Sequence, residues 1–148
     1  MNVVLVEPEI HWNTGNIGRT CVGTKTALHL VEPLGFSLDA KEVRRSGLDY
    51  WEKVDLRVHA DWNAFEEGLP PGAPLLFFSA DARLEFWDAP YAPGTYLIFG
   101  KESMGLPPGL RERYADRLYR IPHNEDIRSL NLSTAAGIVL YEALRACR

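Results

Sequence analysis

The chain has 148 residues, 46% hydrophobic, 24% charged and 11% aromatic, the make-up of a globular protein whose single domain, 1–148, needs no disulfide or metal staple. Its net charge of −4 excludes nucleic-acid binding by bulk charge alone, though not a local basic face. The longest apolar runs, Val3–Val6 and Leu75–Phe78, fall far short of the ~20 residues that cross a membrane; with no basic stretch leading into an apolar signal core, a cytoplasmic location is expected.

Asn2–Val6 is a β-branched run that predicts a strand. After a loop containing Pro8, Ile17, Cys21 and Val22 recur at helical spacing, which predicts a helix over Thr14–Thr26 capped by Thr14. Leu28–Glu32 reads as a second strand closed by Pro33, Ala40–Arg45 as a short helix, Leu56–His59 as a weak strand, and Asp61–Glu67 as a helix with Asp61 as its N-cap. Leu75–Ser79 and Tyr96–Phe99 are almost continuously apolar, as strands buried on both faces of a parallel sheet are. Pro108–Tyr114, with proline at an early position, predicts a helix and Leu118–Ile121 a last strand. Leu132–Ala146 is a long amphipathic helix with Leu132, Ala136, Val139, Leu140 and Leu144 toward the core. Strand and helix alternate throughout, so the class is α/β, a mostly parallel sheet flanked by helices.

Ligands of such sheets bind beyond the carboxyl ends of the strands, which directs attention to three loops. Glu7–Arg19 gathers polar groups before a helix, with Asn13, Asn16 and Arg19 as candidates. Phe99–Pro107 is rich in glycine after a buried strand, where backbone can approach a ligand closely. It lacks the leading glycine of a phosphate-binding P-loop, and Lys101 stands where a hydrolase elbow needs glycine. Ile121–Ser133 enters the last helix with more hydrogen-bonding groups than capping requires. The arginines Arg111, Arg113, Arg117 and Arg120 read as a solvated helix face. Cys21 and Cys147 are expected to be reduced, and the four histidines lack the spacing of metal ligands. Trp12 stands out among the tryptophans because it lies inside the first polar loop.

The segments EPEIHWNTGNIGRT, LHLVEPLGF, RRSGLDYWE, LIFGKESMGLP and RIPHNEDIRSLNLSTAAGIVLYEA together resemble the SPOUT superfamily of RNA methyltransferases, over Val4 to Ala146. Within it they resemble the small tRNA 2′-O-methyltransferases of the wobble nucleotide, cytidine or modified uridine 34, of leucine tRNAs. The resemblance implies that the C-terminal segment is threaded into a deep trefoil knot, a topology sequence rules would otherwise forbid. It implies S-adenosylmethionine as cofactor, S-adenosylhomocysteine as product and no metal. Carried over by position, the cofactor residues are Phe78, Gly100, Ile121, Ser129 and Leu130, and the catalytic residues Asn13, Arg19, Glu102, Ser129 and Asn131. The RNA, an anticodon stem-loop, would meet Arg19, Arg44, Arg45 and Arg128. His11-Trp12 departs from the family pattern before Asn13-Thr14-Gly15, where substrate contacts are made.

The resemblance also implies a homodimer whose sites are completed across the interface by the first and last helices. Ile138 and Tyr141 lie off the core stripe of the last helix, as a second buried face would require. Two other readings compete: a SPOUT 2′-O-methyltransferase acting on another tRNA position or on rRNA, and a non-catalytic RNA-binding dimer of the same fold.

Overall fold

Period-2 alternation of large apolar side chains builds the centre of the molecule. A computed structural model describes residues 1–39 and 49–148; the expected helix Ala40–Arg45, with Arg44 and Arg45, lies outside the described residues. The strands are β1 (Asn2–Val6), β2 (Ala27–Val31), β3 (Leu56–His59), β4 (Leu75–Phe78), β5 (Leu84–Glu85), β6 (Tyr96–Phe99) and β7 (Leu118–Arg120). They form one seven-stranded sheet in the order β3-β2-β1-β6-β4-β7-β5, every pair parallel. Register places Leu5 beside Leu30 and Phe99, and Phe78 beside Phe99 and Tyr119.

Both faces are covered, which is why the interior strands read as unbroken apolar runs. Val3, Leu5, Leu28, Leu30, Leu97 and Phe99 face α1 (His11–Thr24) and α4 (Leu132–Ala146), burying Ile17, Cys21, Ala136, Val139, Leu140 and Ala143. Val4, Val6, Phe77 and Ile98 face the other way, against Phe65 of α2 (Trp62–Glu67), Leu110 of α3 (Pro108–Arg113) and Tyr114. Leu132 and Leu144 of the expected core stripe are only partly buried.

The predicted cap of α2 holds, and α4 is capped by Asn131, one of the polar residues of the loop before it. Asp61 accepts from the Ala64 N–H at 2.8 Å, and Asn131 accepts from Ser133 and Thr134 N–H at 2.9 and 3.2 Å. At α1 the expectation fails: the helix starts at His11 with Thr14 inside it, buried, its hydroxyl without a hydrogen-bond partner. Its other end is earlier than Thr26, because Lys25 turns into the left-handed region (φ 52°) and the Thr26 N–H returns to the Cys21 carbonyl. The expected strand ends at Glu32, Ser79 and Ile121 and the helix end at Tyr114 each recede by one residue, and β2 gains Ala27. Strand β5 is unforeseen, since two residues carry no periodicity.

One polar cluster is buried in this apolar frame. His29 on β2, 3% exposed, is hydrogen-bonded to His59 across 3.0 Å and to Asn2 Oδ1 at 3.3 Å. Burial, reinforced by the neighbouring His59 and Arg57, lowers the His29 pKa to about 4. The folded state therefore binds fewer protons than the unfolded one, so this contribution is complete above the unfolded value near 6.5 and is lost as pH falls from there toward 4. The wild type is expected to lose stability by up to about 1.4 kcal/mol per pH unit more than a His29→Phe variant across that window. Equal slopes in denaturant titrations between pH 6.5 and 4 would contradict this.

Candidate active site

The loops following β4, β6 and β7 converge at one edge of the sheet, where the carboxyl ends of parallel strands leave a crevice. There they enclose a cavity of about 650 Å³, within the range that suits a cofactor-sized ligand. Phe78 and Phe99, stacked with centroids 5.1 Å apart, form part of its apolar wall. Asn13, Gly100, Glu102, Ile121, Arg128, Ser129, Leu130 and Asn131 line it as well.

Glycine is required twice in the loop after β6. A Cβ on Gly100 would stand 2.0 Å from the Gly105 carbonyl carbon and 2.1 Å from the Leu106 nitrogen, while Gly105 itself has φ +71°. Lys101 and Gly105 exchange backbone hydrogen bonds across the resulting turn, at 3.2 and 2.9 Å. This close return of the backbone aims Glu102 at the start of α1. Its Oε2 accepts from the Glu9 N–H at 2.7 Å, and its Oε1 accepts from the Ile10 N–H at 3.0 Å and from Asn13 Nδ2 at 3.2 Å. A carboxylate from a distant loop thus holds the two residues that lead into α1 and complements the positive end of the helix.

The clasp is reciprocal. Glu9 accepts from the Ser103 hydroxyl at 2.5 Å and from the Ser103 N–H at 3.2 Å, and these hydrogen bonds lower its carboxyl pKa. Lys101 pairs with Glu7 at 3.5 Å. Asn13 passes the order onward: its Oδ1 accepts from Asn131 Nδ2 at 3.0 Å, so one chain of hydrogen bonds runs from Glu102 through Asn13 to the cap of α4. Three loops far apart in sequence are held in one arrangement.

With three donors on it, the Glu102 carboxylate is placed to organise the site. Glu102→Gln is expected to turn an amide donor toward those N–H groups, lowering stability by about 1–3 kcal/mol and weakening cofactor binding along with turnover. Loss of turnover alone, with melting temperature and cofactor affinity unchanged, would instead mark Glu102 as a base.

The arginines are placed in several ways. Arg19 is exposed on α1, about 9 Å of helix rise beyond Asn13, with its guanidinium 5.8 Å from the Tyr50 ring, and it is absent from the cavity wall. Arg128 reaches the Ser103 carbonyl at 3.4 Å. Of the arginine run, Arg113 pairs with Glu66 at 2.7 Å and Arg120 with Glu85 at 3.8 Å. Arg111 pairs with Asp81 on the cavity wall. Sequence reasoning missed Glu9, Asp81 and Arg111, whose partners lie 94 and 30 residues away, beyond any local pattern. Cys21 and Cys147 are free, and burial pushes the Cys21 thiol pKa up to about 12. Among the described residues no group of three His, Cys, Asp or Glu is placed to hold a metal, and no helix is long and apolar enough to cross a membrane.

A parallel sheet with a cofactor-sized crevice framed by three polar loops defines a ligand-binding α/β protein. The chain belongs to the SpoU rRNA methylase family, whose model matches residues 1–141, and is thus an enzyme of the methyltransferase class. It is 47% identical over 146 residues to a tRNA (cytidine(34)-2′-O)-methyltransferase of Burkholderia pseudomallei, covering 97% of this chain and 94% of that one. A solved structure from work on "the 2-OH methylation of C/U34 on tRNA" superimposes with TM-score 0.92 at 44% identity, over 97% of this chain and 93% of that one. An AdoMet-bound rRNA methyltransferase from Sinorhizobium meliloti superimposes with TM-score 0.85 at 26% identity, over 98% of this chain and 56% of the other.

Proposed function

We propose that this chain transfers a methyl group from S-adenosylmethionine to the ribose 2′-oxygen of nucleotide 34, cytidine or modified uridine, in tRNA. Leucine isoacceptors are the substrates, read at the anticodon stem-loop in the cytoplasm by a homodimer, each copy a single domain. The observation that carries this reading is one cavity lined by Asn13, Phe78, Gly100, Glu102, Ile121, Ser129, Leu130 and Asn131.

The residues present fit the cofactor. Phe78 and Phe99 offer an apolar wall for a purine, Gly100 lets backbone come close, and Asp81 with Arg111 presents both charges to an amino-acid zwitterion. Phe78, Gly100, Ile121, Ser129 and Leu130 would hold it. When bound, S-adenosylmethionine supplies an electrophilic methyl group and leaves as S-adenosylhomocysteine, and no metal is needed. The chain's own task is alignment, because a ribose hydroxyl is a poor nucleophile. Asn13, fixed from both sides by Glu102 and Asn131, and Ser129 position the reacting ribose. The partner's Arg19 holds the hydroxyl and an adjacent phosphate, since a guanidinium is a poor proton acceptor. Arg44, Arg45 and Arg128 extend that phosphate-binding groove.

The fold reading includes the trefoil knot. Strand β5 lies outside β7, so segment 79–95 runs around β7, and Phe86 and Ala89 from it share a core with Val139 and Leu140 of α4. We propose that segment 121–131 is threaded through that connection.

Calorimetric titration with S-adenosylmethionine and S-adenosylhomocysteine, in the presence of a chelator, tests the cofactor assignment. Saturable binding of both is expected; no heat and no thermal shift with either would overturn it. The dimer has its own test. Tyr141, 61% exposed, and Ile138 stand uncovered on α4, and Tyr141→Asp is expected to place a charge in the interface and give a monomer that loses RNA methylation more than cofactor binding. Sedimentation of the wild type as a 16.7 kDa species at micromolar concentration would contradict the dimer.

A further inference from the structure

Trp12, Asn16 and Arg19 recur at i, i+4 and i+7, so three exposed side chains share one stripe of α1. Ile17 and Cys21 of the same helix are buried against the sheet. Trp12 is 52% exposed, and its ring leans on His11 with centroids 4.6 Å apart and planes at 36°. Trp12 is not itself part of the cavity wall, but Ile10 and Asn13, close to it in sequence at the start of the same helix, are. In a chain of net charge −4, the whole of His11–Thr24 contains no aspartate or glutamate. The stripe therefore offers an aromatic face, an amide and a guanidinium with no acidic side chain of its own helix to repel a phosphate. The first two groups answer the face and the edge of an unpaired base.

We propose that Trp12 is a base-stacking platform that selects the RNA substrate, taking an unpaired base that flanks the reacting nucleotide while Asn16 meets that base's edge. The inference rests on the reading of the chain as an RNA methyltransferase and adds a specificity-determining residue to it. Stacking suits this position because every base has a π-face and an anticodon loop presents its bases unpaired.

The test compares wild type, Trp12→Phe and Trp12→Ala in steady-state methyl transfer to an anticodon stem-loop RNA, with cofactor affinity measured in parallel. Trp12→Ala is expected to raise KM for the RNA by about ten-fold or more, to change kcat less than two-fold, and to leave S-adenosylmethionine affinity as it was. Trp12→Phe is expected to recover most of that loss, because a ring still stacks. Abasic substitution at successive loop positions then identifies the partner: at one position, removing the base weakens binding to the wild type and not to the Trp12→Ala variant. An unchanged KM in an active Trp12→Ala enzyme overturns the platform while the methyltransferase reading stands. A Trp12→Ala protein whose sedimentation shifts to the monomer overturns it in favour of contact between two copies. A wild type that methylates no RNA overturns both.

Discussion

Arg19→Ala is expected to lower methyl transfer by ~10²–10³-fold while cofactor affinity stays within a few-fold. The split follows from position: Arg19 is exposed on α1 and outside the wall of its own chain's cavity, so its removal takes nothing from the cofactor pocket. On the proposed role, what disappears is the group that holds the ribose and its phosphate for attack. Arg19→Lys is expected to fail as well, because a point charge does not reproduce the planar, two-pronged donor of guanidinium. Mixing Arg19→Ala subunits with subunits inactivated at the cofactor pocket adds a sharper result. If Arg19 acts across the dimer, the mixed dimer regains one working site; no recovery would confine Arg19 to its own subunit. Wild-type turnover by Arg19→Ala would remove the residue from the mechanism.

Gly100→Ala is expected to destabilise the protein by about 3 kcal/mol or more and to abolish cofactor binding. The added carbon would meet the backbone of Gly105 and Leu106 at 2.0–2.1 Å. No flexible side chain is there to swing away, so the turn itself must open. Opening it moves Glu102 off the start of α1 and dissolves the chain of hydrogen bonds to Asn13 and Asn131. Gly109→Ala in α3 is the control, because nothing lies within 4 Å of its added carbon, and helix propensity favours alanine there by up to about 1 kcal/mol. Thermal melts and calorimetry on the two variants separate the effects; a Gly100→Ala protein that melts and binds like the wild type would contradict the close-approach account.

What could be read in the chain was what is local. The unbroken apolar runs of β1, β4 and β6 announce strands buried on both faces, and Asp61 and Asn131 cap helices within a few residues of themselves. The start of α1 is not legible locally because the two residues that lead into it, Glu9 and Ile10, are held by Glu102, 93 and 92 residues away. Thr14, the residue that looked like a cap, is instead buried in the helix. Strand β5 is defined by its pairing with β7. In the site, the polar loops themselves pointed to Asn13 and Asn131, and family likeness added Gly100 and Glu102. The clasp between Glu9 and Ser103 and the pair of Asp81 with Arg111 exist only once the loops are folded together. The exposed position of Arg19, away from its own cavity, likewise follows from how α1 lies on the sheet, which no spacing encodes.

The central claim is the atom that receives the methyl group. Purified protein, S-adenosylmethionine with a labelled methyl group, and leucine tRNA lacking the modification should yield one 2′-O-methylated ribose, mapped by nuclease digestion and mass spectrometry to nucleotide 34. A tRNA with 2′-deoxyribose at that nucleotide should accept none. Methylation of a base, methylation at another position, or label incorporated into the 2′-deoxy substrate would contradict the account.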